Sequence, residues 1–94
     1  MDITIYTTRG CFYCSKAVEL MERAGLEYKL VDVIPKLDPR AELPEGKMWK
    51  EEFSREFAGV NGFPYSIVDG KPIGGVIDLA KLLVKEGLVS ARKD

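Results

Sequence analysis

Two cysteines three residues apart, Cys11-Phe12-Tyr13-Cys14, are the residues of this chain best suited to chemistry. A thiolate attacks disulfide sulfur, and a second thiol one helical turn further on can displace what the first has bound. Closing so short a loop removes little entropy from the unfolded chain, so the pair makes a poor structural staple. Zinc needs four ligands, and with 0 His and no third cysteine it would call on carboxylates or a second chain. The main reading therefore carries no metal. The missing histidine also excludes Ser-His and Cys-His hydrolytic pairs. A reversible redox dithiol is the chemistry that remains.

The elements around the pair support that reading. Ile3 to Thr7 alternates β-branched and aromatic residues, which predicts a first strand, broken at Thr8-Arg9-Gly10. From Cys14 onward Ala17, Val18, Leu20, Met21 and Ala24 recur at three- and four-residue steps, so a helix follows, and Gly25 stops it. Cys11 thus stands at a helix start, where free N–H groups and the peptide dipoles favour a thiolate. Such sites lower a thiol pKa to roughly 3.5–7.5. Arg9 and Lys16 add positive charge nearby. The spacing predicts an exposed attacking Cys11 and a more buried, resolving Cys14.

Tyr28 to Ile34 predicts a second strand, apolar enough to be buried on both faces. A long loop with Pro35, Pro39 and Pro44 runs to Gly46, and Met48 to Phe57 predicts a second helix with Trp49, Phe53 and Phe57 as a core stripe. Tyr65–Val68 and Lys71–Ile73 form a hairpin about Asp69-Gly70, with Pro72 suited to an edge strand. Leu79, Leu82 and Leu83 mark a third helix ending near Gly87. Lys81, Lys85, Arg92 and Lys93 read as a solvated helix face and tail. The order βαβ-α-ββ-α predicts an α/β, thioredoxin-like fold: a four-stranded mixed sheet with three main helices, in one domain over residues 1–94.

Composition narrows the partners. The chain has 94 residues, 46% hydrophobic and 31% charged, with a net charge of -1. That balance argues against nucleic acid or an anionic membrane as a partner. Met1-Asp2-Ile3-Thr4 lacks the basic and apolar regions of a secretory signal, and no apolar run reaches the ~18–20 residues of a membrane span. A cytoplasmic, monomeric protein is expected.

Two further motifs lie downstream. Phe63-Pro64 stands before the third strand, where a proline leaves the preceding backbone free to pair with an extended substrate. Only ~5–6% of X-Pro bonds are cis, so sequence alone predicts trans. Gly74-Gly75, then Val76-Ile77-Asp78, allows close backbone approach by a ligand at a helix start. Taken together, Cys11-Phe12-Tyr13-Cys14, Phe63-Pro64 and Ile73-Gly74-Gly75 with Asp78 resemble the glutaredoxin family, from Ile3 to about Leu88.

The resemblance implies a glutathione-dependent thiol-disulfide oxidoreductase acting on protein disulfides and glutathione mixed disulfides, with Cys11 as the glutathionylated nucleophile. It also implies a cis Pro64, a glutathione backbone paired with Phe63, and a γ-glutamyl end docked at Gly75, Val76 and Asp78. Tyr13 and Phe12 are expected to line the substrate groove. Three positions depart from the family pattern. Phe12 replaces the usual proline, Thr8 replaces a lysine that binds the glycyl carboxylate (Arg9 being the substitute), and Ile77 replaces a polar group before Asp78. Thr8 and Ile77 motivate an alternative, a redoxin fed by thioredoxin reductase and donating electrons to ribonucleotide reductase. Phe12 leaves open a second alternative, a dimer bridged by a glutathione-ligated [2Fe–2S] cluster.

Overall fold

Along β1 (Ile3–Thr8), Ile3, Ile5 and Thr7 are buried while Thr4, Tyr6 and Thr8 are half-buried. Successive strand side chains point to opposite faces, so this strand is covered on both sides. The computed structural model describes residues 1–89. In it β1 is followed by α1 (Phe12–Ala24), β2 (Lys29–Ile34), β3 (Lys47–Trp49), α2 (Lys50–Glu56), β4 (Tyr65–Val68), β5 (Lys71–Gly74) and α3 (Val76–Lys85). The sheet order is β3-β2-β1-β4-β5. The first three strands run parallel, and β4 and β5 add an antiparallel pair with β5 at the edge. Among the described residues no helix is long and apolar enough to cross a membrane.

The thioredoxin-like α/β architecture is as expected, but the sheet has five strands and not four. Lys47-Met48-Trp49, read from sequence as loop end and helix start, pairs with β2 as Asp32↔Lys47 and Ile34↔Trp49. An ion pair of 2.8 Å between Lys47 Nζ and Asp32 Oδ2 fastens the same register. This gives the long proline-containing segment 35–46 a structural reason, because adjacent parallel strands need a crossover of about a dozen residues. It also shortens the second helix to Lys50–Glu56 and makes Trp49 its N-cap.

Two cores result. On one face Ile3, Ile5 and Val68 pack with Ala17 and Met21 of α1 and Leu79 and Leu83 of α3. On the other, the Tyr6 ring lies 5.3 Å from Phe53 and 5.1 Å from Phe57 of the α2 segment. The expectation that β2 is buried on both faces fails. Only Val33 is buried, and Leu30 is 44% exposed. The reason is coverage: α1 packs over β1 and α3 over β4 and β5, so among the described residues no helix covers β2 on the Leu30 side.

Gly25 (φ 67°) closes α1 as foreseen, its N–H reaching Glu22 O while Leu26 N reaches Met21 O. Leu26 then packs against the aliphatic core, so the cap also aims β2. Lys81 and Lys85 lie on exposed α3 positions. Arg92 and Lys93 fall outside the described residues.

Candidate active site

The end of β1 delivers Cys11 to the N-cap of α1 in extended backbone (φ −91°, ψ 114°). Its Sγ accepts a hydrogen bond from the Cys14 N–H at 3.2 Å, and lies 3.5 Å from the carbonyl oxygen of Phe63. No acidic residue occupies the first turn of α1. Negative charge on this sulfur therefore meets a backbone donor and the positive end of the helix dipole, with no carboxylate on that turn to oppose it.

Cys14 is in a different environment. It shares the buried helix face of Ala17 and Met21, and both cysteines are free thiols. Burial, then a hydrogen bond with Cys11, pushes the Cys14 thiol up to about 12, with the Cys11 and Asp32 charges adding to the rise and a backbone hydrogen bond from Thr8 opposing it. At neutral pH Cys14 is accordingly a protonated thiol held beside a half-exposed one. The asymmetry expected from spacing is present: Cys11 is reachable and Cys14 is covered.

The Phe63–Pro64 bond is cis, which corrects the frequency-based expectation of trans and agrees with the family resemblance. Pro64 is buried beneath the groove, and the Phe63 ring packs 5.1 Å from Phe53. At the glycine pair, Gly74 has φ +115°, and a Cβ there would lie 2.9 Å from Asp78 Oδ2. A Cβ on Gly75 would lie 3.8 Å from the Pro64 carbonyl oxygen. Ser66 Oγ donates to the Gly74 carbonyl at 2.7 Å and ties the turn to β4.

These pieces converge. Tyr13, Phe63, Pro64, Gly75, Val76, Ile77 and Asp78 line one cleft of about 260 Å³. Two of the residues expected to meet glutathione do not line this cleft. Arg9 lines a separate cavity on the far side of Phe63. Phe12 is 64% exposed, with its ring edge-on to Tyr13 at 5.4 Å and Lys16 Nζ 5.2 Å above it. Lys16 thus stacks on Phe12 and pairs with Glu19 at 3.4 Å. The sequence reading missed Ser66 and Phe53. A hydroxyl at an inward position of β4 was the available signal for the first, whereas the Phe53–Phe63 contact is long-range and left none.

A thioredoxin-type fold with two free thiols one turn apart at a helix start points to a thiol redox protein. The comparisons sharpen that class. The glutaredoxin family profile matches residues 3–73. Glutaredoxin 1 of Rickettsia prowazekii (strain Madrid E) is 32% identical over 85 residues, spanning 90% of this chain and 79% of the relative. That of Rickettsia bellii (strain RML369-C) is 33% identical over the same shares. Reduced Escherichia coli glutaredoxin superposes with a TM-score of 0.62 at 29% identity, covering 95% of this chain and 100% of that one. A buckwheat glutaredoxin–glutathione complex, at 20% identity, shares the fold with a TM-score of 0.63 over 92% of this chain and 70% of its own. The chain belongs to the glutaredoxin family, whose members are thiol-disulfide oxidoreductases.

Proposed function

We infer that this chain is a glutathione-dependent dithiol oxidoreductase in which Cys11 is the attacking sulfur and Cys14 the resolving one. The observation that carries the reading is the contrast between the two thiols: a half-exposed Cys11 Sγ accepting from the Cys14 N–H at 3.2 Å, and a buried Cys14 whose thiol is pushed up to about 12. The Cys11 thiolate attacks the glutathione sulfur of a mixed disulfide, and the substrate thiolate leaves. A second glutathione then displaces the first as glutathione disulfide, which restores Cys11. With a protein disulfide, Cys11 bonds to one substrate sulfur as the other leaves as a thiolate; Cys14 then attacks Cys11 Sγ, the substrate sulfur departs and the Cys14 proton ends on a substrate thiolate, leaving Cys11–Cys14 oxidised for reduction by two glutathiones.

Glutathione is read into the cleft beside Phe63. The Phe63 backbone pairs with its extended chain, while Gly75, Val76 and Asp78 receive the γ-glutamyl end and Tyr13 forms the wall. The family neighbour seen with glutathione supports this ligand. Arg9, across Phe63, is a cation available to the glycyl carboxylate, in a cavity that Lys50 also lines. The protein is read as a monomeric single domain suited to the reducing cytoplasm, where a free dithiol persists, with ribonucleotide reductase among its candidate protein substrates.

The test is reduction of a small glutathione mixed disulfide, coupled to glutathione reductase and NADPH. Cys11→Ser is expected to fall to background, and Cys14→Ser to keep turning over. Equal loss from both would refute the assigned roles. A wild type that accepts electrons only from thioredoxin reductase would refute glutathione dependence.

A further inference from the structure

Cys14 must lose its proton as it attacks, and it is buried on the α1 face that carries Ala17 and Met21. Its two hydrogen-bond partners cannot take that proton. Cys11 Sγ is the sulfur under attack, and the Thr8 backbone donates. The sheet beneath the helix holds an acceptor. Thr7 is buried at the end of β1, on the same face as Ile3 and Ile5. The bond to the neighbouring Thr8 places Cys14 over this end of the strand. Thr7 pairs with Asp32 of β2. Residues paired across adjacent strands project to the same face, so the Asp32 side chain lies on the Cys14 side of the sheet.

Asp32 shares this face of β2 with Leu30, the strip that no helix covers among the described residues. Its side chain is 35% exposed, a carboxylate that reaches water beside a thiol that does not. Lys47 Nζ engages its Oδ2 at 2.8 Å and leaves Oδ1 free. Among the described residues, the groups facing Asp32 are Lys47 from β3, Cys14 with Cys11 behind it from α1, and the uncharged Thr7 from β1. The Asp32 charge helps to keep the resting Cys14 protonated. The same charge attracts a proton leaving Cys14 as the thiol becomes a disulfide.

We propose that Asp32 is the proton acceptor of the resolving step, taking the Cys14 proton as Cys14 Sγ bonds to Cys11 Sγ. The proposal rests on Cys14 as the resolving sulfur. One strand spacing, about 4.8 Å, separates the Thr7 and Asp32 backbones, and a single water carries a proton across such a gap. In that step the bond between Cys11 and the substrate sulfur breaks, and its electron pair leaves on the substrate sulfur. The two cysteines are oxidised and the substrate is reduced. Asp32 Oδ1 holds the proton and passes it through water to the departed thiolate, which restores the carboxylate.

The experiment mixes reduced protein with an equimolar amount of the disulfide of thionitrobenzoate in a stopped-flow instrument. Attack by Cys11 releases one coloured thiolate, and attack by Cys14 releases the second. In Asp32→Asn the second release is expected to slow relative to the first by about tenfold or more. Its rate should then climb about tenfold per pH unit between roughly pH 6 and 8, because hydroxide must take the Cys14 proton, while the wild-type second release stays nearly level. Formate added to Asp32→Ala should restore the neutral rate. Lys47→Met breaks the same ion pair but keeps the carboxylate, and should retain the level profile. A second release in Asp32→Asn as fast as in wild type would overturn the proposal. So would a slowed release that keeps the wild-type pH profile, ignores formate or is matched by Lys47→Met, since each marks a structural role. A concentration-independent second release in Cys14→Ser would instead refute the resolving role of Cys14, and the proposal with it.

Discussion

The two faces of the sheet are built from different material. Under α1 and α3 the core is aliphatic, with Ile3, Ile5, Met21, Leu79 and Leu83 nearly free of solvent. Under α2 it is aromatic, with Tyr6, Phe53, Phe57 and Tyr65 in mutual contact. Each face holds one part of the site. The aliphatic face buries Cys14 on the same helix surface as Ala17 and Met21. The aromatic face holds Phe63 through Phe53. Cys11 sits where the two meet. Stability thus depends most on the aliphatic face, and site geometry depends also on the smaller aromatic one.

The largest effect should come from emptying the aliphatic face. Leu79→Ala removes a side chain with no exposure and is expected to cost about 2–5 kcal/mol in urea unfolding. Gly74→Ala follows, at about 1–3 kcal/mol. Its φ of +115° disfavours a side chain, and the new Cβ would meet Asp78 Oδ2 at 2.9 Å. The same variant should raise the KM for glutathione, because Asp78 must move aside.

Burial of Cys14 makes a pH prediction. Its thiol ordinarily titrates near 9 and is pushed up to about 12 in the folded chain. Below pH 9 both states hold the proton, so the burial has no pH-dependent effect. Above it the unfolded chain loses the proton first, and stability should fall as pH rises toward 12, by at most about 1.4 kcal/mol per pH unit. Cys14→Ser should flatten that part of the curve when urea midpoints of reduced protein are compared across the alkaline range.

Two milder substitutions separate the faces. Phe53→Leu and Met21→Leu should each cost on the order of 1 kcal/mol. Only the first should lower kcat/KM for the mixed disulfide, because the Phe53 ring packs on Phe63 whereas Met21 lies in the aliphatic core and does not itself line the cleft. Equal kinetic effects would dissolve the division of labour. Smallest of all, Lys47→Met removes a partly exposed ion pair to Asp32 and is expected to cost less than about 1 kcal/mol.

Much of this was legible in the sequence because it is encoded locally. The strand-turn-helix that presents Cys11, the Gly25 stop and the Asp69-Gly70 hairpin depend on residues close together in the chain. What was not legible is non-local. β3 is three residues long, too short for alternation to show, and Trp49 happens to lie in helical step with Phe53 and Phe57. Its strand character comes from pairing with β2 and from the Lys47–Asp32 contact across the crossover. The exposure of Leu30 likewise depends on where α1 and α3 dock, which the apolar run in β2 does not encode. That Arg9 and Asp78, read as meeting opposite ends of glutathione, line two different cavities with Phe63 in the wall of both is likewise set by the fold and not by the local sequence.

The central claim is the inequality of the two sulfurs, and the most direct test is to see which one carries glutathione. Reduced wild-type protein would be exposed briefly to a limiting amount of glutathione disulfide near pH 7, quenched in acid and sequenced by tandem mass spectrometry. Adduct on Cys11 alone, or an intramolecular Cys11–Cys14 disulfide in its place, with Cys11 adduct accumulating in Cys14→Ser, is the expected result. Glutathione on Cys14 in the wild type, or on Cys14 of Cys11→Ser at a comparable rate, would contradict it.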